Sequence, residues 1–120
     1  MKETNLNKRS YVYAVKIIKF VESLPKSSTC KIIGNQLLRS GTSISANIIE
    51  AHSASSKKDF INFYNHSLKS ANESKLWIAL LRDTDKINKE DSEILIQETS
   101  ELANMIASSI LTLKGKRFEL

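Results

Sequence analysis

The sequence is poor in the residues that interrupt or cross-link a chain: it has three glycines, one proline and one cysteine among 120 residues. Because glycine and proline break regular structure, their scarcity favours long helices. A single cysteine excludes an intrachain disulfide and a cysteine-based zinc cage, since both need several thiols. We therefore expect Cys30 to be a small reduced residue near the start of a helix.

Long apolar runs are also missing, and none approaches the roughly 20 residues that a membrane-spanning helix needs. The first ten residues, MKETNLNKRS, are polar and lack the apolar centre of a secretory signal. The hydrophobic fraction of 41% and the charged fraction of 26% are typical of soluble globular proteins. These features predict a cytoplasmic protein with no membrane contact and a single domain over residues 1–120.

Patterns that carry catalysis or bind metals are equally scarce. Neither histidine, His52 or His66, follows a glutamate by three positions, so the Glu-x-x-His motif of di-iron helical bundles is missing. The sequence has no nucleophile elbow, no clear Ser-His-Asp arrangement and no metal-binding histidine pair. We predict a protein that is not an enzyme, with no catalytic residue, metal or cofactor and no evident small-molecule substrate.

What the sequence does have is apolar residues that recur at intervals of three and four, which is the helical period. Polar residues suited to cap helices precede three of these segments: Ser27-Ser28-Thr29, Ser56 and Asn88. The pattern predicts four helices, over about residues 6–24, 30–53, 57–83 and 89–114. Matched lengths and short connections predict an all-α fold, an antiparallel up-down-up-down four-helix bundle.

The segment LRSGTSISANIIEAHS, residues 38–53, is rich in small residues and could be a ligand-binding loop or a helix interior. Its apolar positions keep the helical phase across Gly41, and no strand or Gly-Lys-Ser/Thr ending of a phosphate loop is present. The segment is therefore predicted to be helical. Gly41, Ser45 and Ala46 would let another helix approach closely, with Leu38 and Ile49 packed around them.

A polar line follows the same predicted helix beside Arg39, and it consists of Gln36, Ser40, Ser43, Asn47 and Glu50. It could be a solvated face, a hydrogen-bonded seam or a subunit interface. Short serine and asparagine side chains favour the last two readings, because longer polar residues have better helix propensity on an exposed face. A hairpin that turns near Ala54 would bring Arg39 close to Glu73, and we predict an ion pair between them.

Charge is unevenly distributed along the chain, whose net charge is +5. Residues 1–40 carry a net charge of +6, and residues 82–101 carry a net charge of −4. Four cations fall within about 100 degrees of arc on the first helix, and they form a candidate nucleic-acid-binding stripe: Lys8, Arg9, Lys16 and Lys19. RNA or DNA is thus one candidate partner. An ordinary solvated surface is the other reading, and the acidic start of the fourth helix could attract another subunit.

Two segments, QLLRSGTSISANIIEA and SSKKDFINFYNHSLKSANESKLWIALL, resemble a known family. The pattern is carried by Arg39, Ser40, Ser43, Ile44, Asn47, Glu50, Lys58, Asp59, Phe60 and Glu73. It is similar to the bacterial four-helix bundle family of 23S rRNA-intervening sequence proteins, which is related to the accessory variability determinant of diversity-generating retroelements. His52 departs from the pattern, because many members have glycine there.

The resemblance covers nearly the whole chain and implies a non-enzymatic four-helix bundle of poorly defined role that forms a homo-oligomer, a homopentamer. In the retroelement branch, the bundle partners a reverse transcriptase and nucleic acid. Two function classes stay open: an oligomeric accessory protein that binds nucleic acid, and a purely structural or protein-interaction module.

Overall fold

The computed structural model describes residues 2–115, with side chains from Leu6 onward, and over this range the chain is helical apart from short turns. The predicted all-α fold is confirmed. The first helix begins four residues earlier than expected, and the other bounds lie within two residues of the predicted ones. The four helices are α1 (Lys2–Glu22), α2 (Ser28–Ala51), α3 (Lys57–Asp83) and α4 (Lys89–Leu113).

Three of the helices begin at the polar caps that the sequence indicated. The Ser27 side chain accepts a hydrogen bond from the Cys30 N–H, and Ser56 accepts one from the Asp59 N–H, both at 3.1 Å. Asn88 accepts from the first backbone N–H groups of α4. These side chains satisfy donors that the first helical turn leaves without a partner.

The helices form a ring in which each one packs against two neighbours, in the order α1, α2, α3, α4. Contacts between neighbours pair rising residue numbers on one helix with falling numbers on the next. His52, directly after α2, reaches Asn7 near the start of α1, with Nε2 and Oδ1 3.2 Å apart, whereas Gly41 of α2 meets Ile17 farther along α1. The same reversal relates α2 to α3 and α1 to α4, so the bundle is antiparallel and runs up-down-up-down.

The core lies along the ring axis, and α2 approaches α1 closely at Gly41. A Cβ atom at this position would lie 2.9 Å from the Ile17 Cγ2 atom, so only glycine fits without a shift. Ser45 is buried one turn later, as predicted. The expectation for Ala46 and Ile49 was wrong: both are exposed, because they lie on the side of α2 that turns away from the core.

A search for membrane spans found no helix within residues 2–115 that is both long enough and apolar enough to cross a bilayer.

Candidate functional site

Small hydroxyl side chains occupy the contact between α2 and α3. The hydroxyl oxygens of Ser40 and Ser74 are 2.9 Å apart, and Ser70 donates to the Ser43 hydroxyl at 3.1 Å. Ser67 donates to the backbone carbonyl of residue 44 at 2.9 Å. The helices can therefore pack closely without burying unpaired hydroxyl groups, whose desolvation would be unfavourable. Part of the polar line predicted on α2 is thus a buried hydrogen-bonded seam.

Buried hydroxyl groups also meet between α1 and α4, at Tyr13. Its fully buried side chain places the phenol oxygen 2.6 Å from the Thr99 hydroxyl. This contact joins α1 to α4, as the contact between Ser40 and Ser74 joins α2 to α3. Apart from the tyrosines Tyr13 and Tyr64, the buried polar side chains of the described residues are all serine or threonine: Ser10, Ser40, Ser45, Ser67, Ser70, Ser74, Ser92 and Thr99.

Burial raises the pKa of Tyr13 from 10.0 to about 12, although hydrogen bonds from Thr99 and Ser74 favour the ionised form and limit the shift. The folded state therefore holds the phenol proton more tightly than the unfolded state does. The stability that comes from this difference is fully present below about pH 10 and is lost as the pH rises to about 12. A shift of about two units corresponds to roughly 2–3 kcal/mol.

We expect the free energy of unfolding of the parent protein to fall more steeply between about pH 10 and about pH 12 than that of Tyr13→Phe. Urea titrations of the two proteins at several pH values measure the difference. Below about pH 10, the free energy of unfolding of the variant is lower than that of the parent by about 1 kcal/mol, because the variant lacks the hydrogen bond to Thr99. Equal pH dependence in both proteins would contradict the assignment of this effect to the buried phenol.

The predicted ion pair between Arg39 and Glu73 is confirmed on the outer side of the seam. The Arg39 guanidinium also donates to Gln36 Oε1 at 2.9 Å, and Trp77 Nε1 donates to the Glu73 carboxylate at 3.1 Å. The Arg39 and Glu73 side chains are 56% and 32% exposed, so solvent screens the pair and it stabilises the fold by less than about 1 kcal/mol. The bonds instead fix the orientation of an exposed arginine.

The rest of the predicted polar line divides between the seam and the solvent. Asn47 donates to both the backbone carbonyl and the hydroxyl of Ser43, each at 2.9 Å, so it lies along the seam. Glu50 is exposed at the far end of α2 and makes no side-chain hydrogen bond to any described residue. The structure thus brings Arg39, Ser43, Asn47 and Glu73 to one side of the α2–α3 contact and leaves Glu50 outside it.

The basic stripe on α1 is divided as well. Arg9 pairs with Glu101 at 2.8 Å, and Lys16 pairs with Glu98 at 2.9 Å, so half of the stripe is bound to α4. The Arg9 guanidinium holds the pKa of Glu101 below its usual value. Lys8 and Lys19 are exposed, and neither forms an ion pair with another described residue. Only these two of the four cations therefore present unpaired charge.

An apolar surface lies beside the unpaired lysines on the outside of α1. Tyr11, Val12 and Ile18 are 62%, 41% and 40% exposed. Together with half-buried Val15, they repeat at helical spacing on the side of α1 opposite the core. We call this surface the outer α1 face, defined by Lys8, Tyr11, Val12, Val15, Ile18 and Lys19.

Candidate metal ligands do not converge in the described part of the chain. Over residues 2–115, no group of three or more histidine, cysteine, aspartate or glutamate residues is arranged to hold a metal ion.

These features define a class of protein: a small antiparallel four-helix bundle with a hydroxyl-bonded core and an exposed apolar stripe on its first helix. Residues 2–108 match the family model of the 23S rRNA-intervening sequence protein, and the chain belongs to that family. The resemblance seen in the sequence is confirmed.

A crystal structure from Bacteroides thetaiotaomicron, of a protein with unknown function from the S23 ribosomal protein family, has a similar fold. Its sequence is 38% identical, and the match covers 92% of this chain and 98% of that one, with a TM-score of 0.87. No match was found among curated proteins.

Proposed function

We propose that this protein is a non-enzymatic assembly module that works as a homo-oligomer, for which the family resemblance implies five copies. The observation that carries the proposal is the outer α1 face. Three large apolar side chains are exposed there at helical spacing, although α1 already contributes the buried side chains of Tyr13 and Ile17 to a complete core.

An apolar stripe of this kind is what a helix presents to a partner. Monomeric soluble proteins usually expose apolar residues singly, whereas contiguous patches mark interaction surfaces. Tyrosine, valine and isoleucine spaced by three and four residues supply the side chains that pack between helices. Covering them in an oligomer stabilises it by roughly 25 cal/mol for each Å² of apolar surface removed from water.

The proposal is tested by making the outer α1 face polar with the double substitution Tyr11→Ser and Ile18→Ser. Light scattering should give a smaller particle mass than that of the parent protein. The matched control is Leu76→Ser with Leu80→Ser, which removes two exposed apolar side chains from α3. Circular dichroism verifies that both variants keep their helix content. An unchanged mass for the α1 variant would overturn the proposed role of this face in assembly.

Nucleic-acid binding is the second candidate function, and the unpaired charges of Lys8 and Lys19 favour it. A phosphate backbone would be attracted to these lysines, and its affinity would fall steeply with salt concentration. Binding of a single-stranded RNA homopolymer, followed by fluorescence anisotropy over a salt series, tests this function. Lys8→Glu with Lys19→Glu should weaken the binding, whereas no measurable binding at low salt would remove nucleic acid as a partner.

A further inference from the structure

We propose that the outer α1 face docks on the acidic first half of α4 in a second copy of this chain. The contact rests on the proposed homo-oligomer and assigns its two surfaces. The acidic surface, which we call the outer α4 face, consists of Glu90, Glu93, Ile94, Gln97 and Glu101. All five residues are exposed, and Ile94, at 67%, is the most exposed large apolar side chain of the described residues.

Charge complementarity identifies the second copy as the occupant. The outer α1 face carries Lys8 and Lys19 and no acid within its limits, and the outer α4 face carries three glutamates and no cation. The same two helices already attract each other within one chain through Arg9 with Glu101 and Lys16 with Glu98. Lys8, Lys19 and Glu90 form no ion pair with any described residue, so their charges are free for an intermolecular contact.

The spacing of the charges also matches. Lys8 and Lys19 are eleven residues apart, as are Glu90 and Glu101, and eleven residues span about 16 Å of helix. On each of the two helices, the exposed apolar side chains of the face lie between these two charged residues. An antiparallel contact would therefore place Lys19 against the unpaired Glu90 at one end and Ile94 against the apolar stripe of α1. At the other end, Lys8 would lie near Glu101, which already pairs with Arg9.

Pairing of the outer α1 face with itself is disfavoured by the same charges. A two-fold antiparallel contact between two α1 helices would set Lys8 of each copy near Lys19 of the other, and like charges in an interface are repelled. A contact between two different faces avoids this repulsion. Such a heterologous contact leaves one face free at each end of an open chain of copies, so copies are added until the chain closes into a ring or extends as a filament.

The test uses reversal of charge on each face and then on both. Lys8→Glu with Lys19→Glu, or Glu90→Lys with Glu93→Lys, should raise the concentration at which the oligomer dissociates by about tenfold or more. The chain that carries all four substitutions should recover part of the lost affinity, because opposite charges meet again at the end where residue 19 faces residue 90. Mass photometry or light scattering across a dilution series measures the particle mass of these three variants.

Lys58→Glu with Lys69→Glu is the matched control, since these exposed lysines of α3 are also eleven residues apart. It makes the same change in net charge, and we expect it to leave assembly unchanged. Circular dichroism establishes that every variant remains folded. Because Glu90 lies in the first turn of α4, Glu93→Lys alone is measured too, and a weaker effect in the same direction is expected.

The outcomes separate this inference from the proposed function. A monomeric parent protein would overturn both. The assigned contact alone would be overturned if the parent is oligomeric and neither reversal changes its mass. It would also be overturned if the four-substitution chain dissociates at the same concentration as the two double variants. If the reversal of Lys8 and Lys19 leaves the mass unchanged and abolishes binding to the RNA homopolymer, the outer α1 face contacts nucleic acid and the inference is wrong.

Discussion

Replacing Gly41 by valine should lower the free energy of unfolding by about 3 kcal/mol. Even a single Cβ atom here would lie 2.9 Å from Ile17 Cγ2 and 3.0 Å from Ile17 Cγ1. Ile17 is fully buried and branched at Cβ, so it has few other rotamers and no space into which it could move. The two helices would have to separate, and contacts along α1 and α2 would be lost.

Urea unfolding followed by circular dichroism measures this effect, and two further variants test its cause. Ala46→Val places the same side chain on the exposed side of α2 and should cost less than about 1 kcal/mol. In the double variant Gly41→Val with Ile17→Ala, the new side chain fills space that the isoleucine leaves. The free energy of unfolding of this double variant should fall by less than the sum of the decreases in the two single variants, and the difference should exceed about 1 kcal/mol. Additive losses would contradict the close approach at Gly41.

Replacing Ser74 by leucine should lower the free energy of unfolding by a similar amount, about 3 kcal/mol, or prevent folding. Ser74 is fully buried at the contact with α2, where its hydroxyl oxygen is 2.9 Å from that of Ser40 and it donates to the Ser70 carbonyl at 2.8 Å. A leucine side chain would force the two helices apart and leave the Ser40 hydroxyl without this partner.

Ser74→Ala separates the two causes, because alanine keeps the close packing and removes only the hydroxyl group. We expect it to cost about 1 kcal/mol, the usual effect of a lost hydrogen bond. Thermal and urea unfolding of both variants measure the difference. If leucine were tolerated as well as alanine, the small side chains of the seam would not be needed for the approach of α2 and α3.

The helices and the α2–α3 contact were predictable from the sequence because they depend on local patterns. Apolar periodicity and polar caps indicate the helices, since a helix in a bundle buries one side and leaves its first N–H groups to be capped. A short turn between successive helices fixes their register. This is why the ion pair between Arg39 and Glu73 could be predicted from a hairpin turning near residue 54.

The contacts between α1 and α4 were not predictable in the same way. These helices are the first and last of the chain, so no turn sets their register, and residues such as Tyr13 and Thr99 are 86 positions apart. The opposite charges of the two segments were visible in the sequence. The register between α1 and α4 decides which cations form ion pairs with Glu98 and Glu101. Only the folded bundle supplies that register.

The division of charge on α1 also changes the balance between the two function classes. The candidate stripe had four cations, and two of them now pair within the chain. The attraction of the remaining pair for phosphate is correspondingly weaker, because each neutralised cation removes one contact with the nucleic-acid backbone. The apolar side chains between Lys8 and Lys19 contribute nothing to phosphate binding, and they favour a protein partner.

The particle mass of the unmodified chain, measured by light scattering over a dilution series, tests the central claim most directly. The account predicts a mass several times that of one chain at high concentration, falling toward the mass of one chain on dilution. A mass equal to one chain at every concentration would contradict it, because the outer α1 face would then have no second copy to cover it.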